Sequence, residues 1–178
     1  MITSYLHNGI FQTKKVKDLN SIISDIHKNK DLIVDVPILA LIEILDKLGK
    51  SFITNKKLRK IEGSNFLALW LKRKNLINMI DNNLNNIKYL DEFVEIKENQ
   101  YIKAQPRGLV AHWIAGNVPT LGIFSLVQSI LCKNLNILRI PEKSVDTVIP
   151  ILKELNSIKI KHNNKKYNGS DIVKSLSV

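Results

Sequence analysis

The alternation of apolar runs and helical patterns between residues 109 and 155 constrains the fold of this chain more than any other feature. Residues 109–114 and 136–140 are short apolar runs typical of buried strands, and residues 121–131 between them have helical spacing. Residues 145–155 follow as a second helical pattern. Strand, helix, strand and helix at this spacing predict a βαβ unit with parallel strands and a right-handed crossover.

The first hundred residues have helical rather than strand patterns. Apolar residues at helical spacing predict helices over 17–28, 64–71 and 76–90. Asp35 and Pro37 predict the start of another helix, because the carboxylate accepts from free backbone N–H groups and proline suits the first turn. Gly49 is predicted to close that helix in the left-handed conformation. The expected fold class is therefore α/β, with a helical N-terminal region over 1–100.

The end of the chain predicts little additional structure. After residue 158 a basic loop is expected, followed by a helix start at 170–173 and the first residues of a strand at 176–178. A sheet of two strands and a fraction of a third is too small to be stable with both faces covered. We therefore expect the chain to be a piece of a longer protein.

Composition narrows the functional classes. The chain is 44% hydrophobic and 24% charged, which is typical of a globular domain. A net charge of +11 raises a nucleic-acid-binding hypothesis, but the lysines are spread along the chain without interleaved aromatic residues, so at most non-specific contact is expected. One cysteine and four separated histidines predict neither an intrachain disulfide nor a metal site. With no leader peptide or membrane span predicted, a cytoplasmic location is expected.

Residues 115–119, Ala-Gly-Asn-Val-Pro, interrupt the βαβ pattern where the first strand ends. In open α/β sheets, ligands bind at the carboxyl ends of the strands. The Asn117 amide placed there could donate a hydrogen bond to an oxyanion that develops on a carbonyl substrate. Asn-x-Pro is also an ordinary helix-start sequence, so spacing alone leaves both interpretations open.

Two consecutive stretches resemble the LuxC-type acyl-CoA reductases. Residues 105–119, QPRGLVAHWIAGNVP, are similar to the family pattern P-x-G-x-V-x-H-x-x-A-G-N-V-P, and residues 125–139, SLVQSILCKNLNILR, are similar to S-L-V-x-A-L-L-x-K-N-x-N-I-L-K. More distantly, residues 117–119 and 139–142 are similar to the W-N-x-P and K-P-S-E sequences of aldehyde dehydrogenases. The resemblance implies that residues 101–178 form the first part of a Rossmann-like dinucleotide-binding domain of the aldehyde dehydrogenase type.

The resemblance also implies an activity. Members of this family use NADPH to reduce a long-chain acyl thioester, on coenzyme A or on a protein, to a fatty aldehyde through an acyl-cysteine enzyme. The segment with that cysteine is expected to lie beyond residue 178, so this chain is expected to be inactive alone. Acyl-chain specificity, oligomeric state and any link to luminescence stay open. The alternatives are a basic nucleic-acid-binding protein and a non-catalytic module that pairs with a related chain through an exposed strand edge at 136–140.

The resemblance implies roles for five residues. Asn117 corresponds to the oxyanion-stabilising amide, and Ala115 and Gly116 to positions beside the cofactor. Arg139 stands where the superfamily has a lysine that contacts the adenosine ribose or its 2′-phosphate, and its fork geometry suits a phosphate. Glu142 corresponds to a ribose contact, but its carboxylate would disfavour NADP, so the choice between NAD and NADP stays open.

Other notable side chains have simpler predicted roles. Cys132 falls at a variable family position and is predicted to be a small packed residue rather than a nucleophile. His112 is predicted to be a hydrogen-bonded core residue. Trp113 is expected to pack against helices, and Trp70 is expected to anchor the core or an interface.

Overall fold

The computed structural model describes residues 2–16, 18–116, 118 and 120–178, and these form a mixed α/β fold. The strands are β1 (Ile2–His7), β2 (Ile10–Val16), β3 (Val94–Lys97), β4 (Gln100–Ile102), β5 (Leu109–Trp113), β6 (Leu135–Arg139), β7 (Lys159–His162), β8 (Lys165–Asn168) and β9 (Leu176–Ser177). The α-helices are α1 (Leu19–His27), α2 (Asp31–Val34), α3 (Ile38–Thr54), α4 (Ser64–Trp70), α5 (Arg73–Leu84), α6 (Leu121–Leu131), α7 (Val145–Ser157) and α8 (Gly169–Lys174). Short 3-10 turns occupy Leu58–Lys60, Ile87–Leu90 and Glu142–Ser144.

The main sheet has five strands in the order β2-β1-β9-β6-β5. β5 and β6 are parallel and joined through α6, and β9 adds in parallel on the other side of β6, which confirms the predicted parallel βαβ arrangement. The expected sheet of two strands and a fraction is wrong, because β1 pairs with β9 and brings β2 with it. The predicted exposed edge at 136–140 is also wrong, because β6 lies between β9 and β5.

Three hairpins were absent from the sequence predictions. The β1–β2 turn is Asn8-Gly9, with φ of 49° and 76°, the asparagine-glycine pair that favours a tight two-residue hairpin turn. The predicted basic loop after residue 158 is instead the β7–β8 hairpin, and β3–β4 form a third. The asparagines at 99, 163 and 164 all have positive φ. Asparagine is unfavourable inside helices but tolerates the left-handed conformation, so these residues suit hairpin turns.

The helices agree with the predicted ones in place but differ at their ends. α3 continues past Gly49 to Thr54, and Gly49 permits close packing instead, since a Cβ there would lie 2.9 Å from Leu71 Cβ. The predicted cap at Asp35 is wrong, because Asp35 ends α2. The carboxylate of Asp91 takes that role, and both its oxygens lie 3.0 Å from the backbone nitrogen of Ile38.

The hydrophobic core is one cluster that includes residues on both sides of position 100. α3 has nine buried residues among its 17 and contacts α4, α5, α6 and α7. The division into regions 1–100 and 101–178 stays a prediction. Among the described residues, no helix combines the length and apolar character that crossing a bilayer requires.

Candidate functional site

The carboxyl ends of β5 and β6 form the candidate site. In the parallel register Trp113 lies opposite Arg139, and the Ile114 N–H donates to the Arg139 carbonyl at 3.0 Å. Ala115 and Gly116 therefore leave β5 at the edge of the sheet where Glu142 begins the 3-10 turn that follows β6.

Four of the five predicted site residues belong to this edge. They are Ala115, Gly116, Arg139 and Glu142, and the first, third and fourth are exposed. Asn117, the predicted oxyanion donor, lies outside the described residues. The roles of all five stay predictions.

Arg139 stacks on Trp113. The central carbon of its guanidinium lies 4.4 Å from the centroid of the indole ring, which is a cation–π contact. Trp113 is 79% exposed, so the prediction that it packs against helices is wrong. The aromatic surface instead holds the cation at the mouth of the site and limits its rotamers.

Trp113 and Arg139 also line a groove of about 600 Å³. Its other walls are β1, the first turns of α1 and the ends of β6 and β9, with apolar contributions from Leu19, Ile22 and Ile137. This volume is within the range of small-molecule and cofactor sites. The predicted cation therefore lies on the wall of a groove large enough for part of a nucleotide.

Lys143 is a site residue that sequence analysis missed. A Cβ built on Gly116 would lie 2.7 Å from Lys143 Cε and 3.1 Å from Pro141 Cγ, so the lysine crosses directly over the Gly116 backbone. Within the described part of the chain, Lys143 forms no ion pair. In the sequence, only its position next to the predicted contact Glu142 indicated a role for Lys143. The site edge thus has two cations, Arg139 and Lys143.

The start of α6 forms another wall. Thr120 is buried beside Gly63, where an added Cβ would lie 3.3 Å from Thr120 Oγ1. A small cavity of about 60 Å³ there is lined by Val118, Thr120, Thr147 and Glu62, so an acidic side chain from the helical region reaches the site loop. The N-terminus of α6 directs a partial positive charge toward that loop.

His112 is buried beneath the site and hydrogen-bonds to one buried and one exposed side chain. Its Nε2 lies 2.9 Å from Asn136 Oδ1 and its Nδ1 lies 2.8 Å from Ser125 Oγ. The Asn136 amide nitrogen donates to the Asn134 carbonyl, so its Oδ1 faces Nε2 as an acceptor. Nε2 therefore donates, and in a neutral ring the Ser125 hydroxyl donates to Nδ1. The structure confirms His112 as a hydrogen-bonded core residue.

Cys132 follows the last residue of α6, at the opposite end from the site loop. The ten residue steps from Leu121 to Leu131 span roughly 15 Å. Cys132 is exposed, so the prediction of a packed residue is wrong, although partial burial raises the pKa of its thiol and disfavours the thiolate. Trp70, by contrast, packs edge-on against Phe124 with ring centroids 4.6 Å apart, as expected of an anchor.

No group of three or more His, Cys, Asp or Glu side chains in the described ranges could hold a metal ion. Fold and site together define an α/β protein with two cations at the carboxyl ends of parallel strands, where such proteins bind their ligands.

Comparison with known proteins identifies the family. The acyl-CoA reductase (LuxC) family model matches residues 19–178, so the chain belongs to the LuxC acyl-CoA reductase family. The resemblance of residues 105–139 to this family is confirmed.

Several relatives are named long-chain acyl-protein thioester reductase. The chain is similar to the one from Aliivibrio fischeri, 31% identical over 116 residues that cover 65% of this chain and 22% of the relative. It is also similar to the one from Vibrio harveyi, 30% identical over 151 residues that cover 72% and 31%. The chain thus spans about a fifth to a third of the length of these relatives.

Proposed function

We propose that this chain carries the first part of the cofactor-binding domain of a reductase that converts a long-chain acyl thioester to a fatty aldehyde with NADPH. Membership of the LuxC family and the printed names of the relatives support the acyl-thioester substrate. One structural observation carries the proposal for this chain: the parallel register of β5 and β6 places Trp113 opposite Arg139, so that 113–116 and 139–143 leave the sheet at the same edge. In this proposal the sheet is the beginning of an aldehyde-dehydrogenase-type Rossmann domain.

The residues present fit a phosphate-bearing nucleotide. Lys143 and Pro141 lie so close to the Gly116 backbone that an added Cβ would collide with them. Glycine also allows a bound group to approach the backbone closely. Arg139 supplies an exposed guanidinium whose fork suits a phosphate. Glu142 is the one acidic residue of the turn. A preference for NADP therefore requires that the positive charges of Arg139 and Lys143 outweigh the negative charge of Glu142.

Each residue has a defined task in this proposal. Arg139, ordered by Trp113, grips the ribose-linked phosphate, and Ala115 and Gly116 allow the nucleotide to approach the backbone. Asn117 and the N-terminus of α6 stabilise negative charge on the thioester carbonyl oxygen. NADPH, when bound, supplies the hydride that reduces the acyl group.

We propose further that these 178 residues do not turn over substrate alone. Cys132 is the only cysteine in the sequence. It lies one helix length from the site loop, and burial raises the pKa of its thiol. Acyl transfer to a cysteine therefore needs a nucleophile that this chain does not supply.

Calorimetric titration with NADPH and NADH tests the cofactor proposal. We expect saturable NADPH binding that Arg139→Ala weakens by roughly tenfold or more, as loss of a charge-assisted contact implies. Lys28→Ala, at an exposed lysine just after α1, is the control for net charge and should bind as the unmodified chain does. No binding by a folded chain, or equal weakening by both variants, would overturn the proposal.

A parallel assay tests the proposal of inactivity. The chain is incubated with a long-chain acyl-CoA and NADPH, and aldehyde is measured. Aldehyde that forms with the unmodified chain but not with Cys132→Ser would identify Cys132 as the nucleophile and contradict the proposal. Aldehyde that forms above background with both would contradict it by indicating a nucleophile elsewhere in the chain.

The non-catalytic pairing module is a second candidate because β5 is an edge strand of the described sheet. Its outer backbone could pair with a strand of another chain. Light scattering across a hundredfold range of protein concentration tests this, and a constant monomer mass would exclude self-pairing.

A further inference from the structure

The β7–β8 hairpin concentrates positive charge on one face. Its strands pair Lys159 with Asn168 and Lys161 with Lys166. Ile160 is buried and His162 is half-buried, so the alternate residues Lys159 and Lys161 face outward, together with Lys166 across the ladder. The outward face of this two-stranded sheet therefore presents three lysines; we name it the lysine face.

The Lys161–Lys166 pair is unfavourable for the fold. Like charges directly opposite each other across an antiparallel ladder destabilise it. No acidic residue occurs between 155 and 170, and within the described residues none of the three lysines forms an ion pair. A charge arrangement that weakens the hairpin and is not neutralised inside the molecule points to a negatively charged partner outside it.

The hairpin is firmly attached to the rest of the molecule. Lys47 of α3 donates to the Lys159 carbonyl at 3.0 Å, and His162 Nδ1 lies 3.7 Å from a carboxylate oxygen of Glu43. The turn residues Asn163 and Asn164 take the left-handed conformations of a tight two-residue turn. The lysine face is thus a fixed surface rather than a set of charges on a loose loop.

α7 separates the lysine face from the candidate site. α7 begins just after the Glu142–Ser144 turn of the site and ends just before β7. Its 13 residues span roughly 20 Å, so the lysine face and the candidate site lie about one helix length apart along α7.

We propose that the lysine face docks an acidic protein that carries the acyl thioester. This inference rests on the proposed function, since the relatives are named acyl-protein thioester reductases and such a substrate includes a protein component. Complementary charge would steer and orient that protein while its acyl group reaches the candidate site.

The test uses Lys161→Glu, because this substitution separates docking from folding. A carboxylate at position 161 opposite Lys166 replaces a like-charge pair with an opposite-charge pair, so thermal stability should be unchanged or raised. Docking should weaken, since the charge of the lysine face falls by two units. Lys14→Glu on β2 changes the net charge equally and is the matched control.

The probe is an acidic acyl carrier protein bearing a long-chain acyl thioester, labelled for fluorescence anisotropy. We expect Lys161→Glu to weaken binding roughly tenfold and Lys14→Glu to weaken it less than twofold, with the difference shrinking at high salt. Equal effects of the two variants would overturn the proposal. Tighter binding of duplex DNA or phosphatidylglycerol vesicles than of the carrier, with the same dependence on Lys161, would also overturn it by assigning the lysine face to another partner.

The two sets of binding measurements distinguish failure of the reductase proposal from failure of the docking proposal. Carrier binding through Lys161 without any NADPH binding would contradict the reductase proposal and leave docking intact. NADPH binding through Arg139 with a carrier affinity insensitive to Lys161→Glu would contradict docking at the lysine face and leave the reductase proposal intact.

Discussion

The Nζ atom of Lys133 lies 2.7 Å from Oδ1 of Asp91, and this ion pair joins the turn after α6 to the end of the Ile87–Leu90 turn. Lys133 also donates to the Val34 carbonyl at 3.1 Å, while Asp91 accepts from the Ile38 N–H. Lys133 is almost fully buried, with a side chain only 8% exposed. One side chain from the βαβ unit therefore holds two segments of the helical region.

We predict that Lys133→Met lowers the free energy of unfolding by about 2 kcal/mol, less than for a fully buried pair because the Asp91 side chain is 31% exposed. The Asp91 carboxylate would keep its bond to Ile38 but lose its counter-ion. Urea denaturation measures the change.

The matched control is Lys50→Met, which breaks an ion pair with Asp46 whose lysine is 71% exposed and should cost about 0.5 kcal/mol or less. Equal losses in the two variants would show that the Lys133–Asp91 pair has no special structural role.

The βαβ unit was predictable because its signals are local. Residues 121–131 have a helical pattern between two apolar runs, and α6 has those bounds. The same holds for the edge that collects Ala115, Gly116, Arg139 and Glu142, since parallel strands end on one side of a sheet.

The long-range features were not predictable in the same way. Nothing in the sequence near Asp35 indicates that Asp91 would cap α3, and only the fold brings Lys143 over Gly116. The β1–β2 hairpin is different, because its Asn8-Gly9 turn was a readable signal that the helical pattern nearby obscured.

We predict that His112→Leu destabilises the fold by about 2 kcal/mol. Leucine fills similar space, but it leaves the buried Asn136 Oδ1 without its hydrogen-bond partner. The Ser125 hydroxyl also loses its partner, but Ser125 is exposed and can bond to water instead. Thermal unfolding monitored by circular dichroism measures the loss. His27→Leu at the exposed end of α1 is the control, and a loss at His112 no larger than at His27 would contradict the network.

Acid should weaken the link between α3 and α5. Burial alone raises the pKa of Asp46, but hydrogen bonds from the Lys50 ammonium and the Arg73 backbone N–H outweigh it and hold that pKa below its ordinary value. A depressed pKa in the folded state gives stability that is fully present above the unfolded value, about pH 4, and is lost as pH falls through the folded value.

We therefore predict that Asp46→Asn destabilises the chain at pH 7 and that its deficit relative to the unmodified chain shrinks below about pH 4. Urea midpoints measured from pH 7 to pH 3 test this. Glu98→Gln, in the exposed β3–β4 turn, is the matched control for the loss of one carboxylate. A deficit for Asp46→Asn that is constant with pH would show that the carboxylate charge does not stabilise this junction.

Trp113 should affect ligand affinity without affecting stability. Its ring is 79% exposed, so Trp113→Ala removes little buried surface and should change the free energy of unfolding by less than about 0.5 kcal/mol. It also removes the surface on which the Arg139 guanidinium rests at 4.4 Å. An exposed cation–π contact is worth about 0.5–1 kcal/mol, so under the proposed function NADPH affinity should fall roughly threefold.

Calorimetry on Trp113→Ala, Arg139→Ala and the double variant separates orientation from direct contact. If Trp113 acts by ordering Arg139, its removal should have no further effect once Arg139 is absent, and the double variant should bind as Arg139→Ala does. Fully additive losses would instead mean that the indole contacts the nucleotide itself. Trp113→Phe keeps an aromatic face and should retain most of the affinity in the first case, because the guanidinium still has a ring on which to stack.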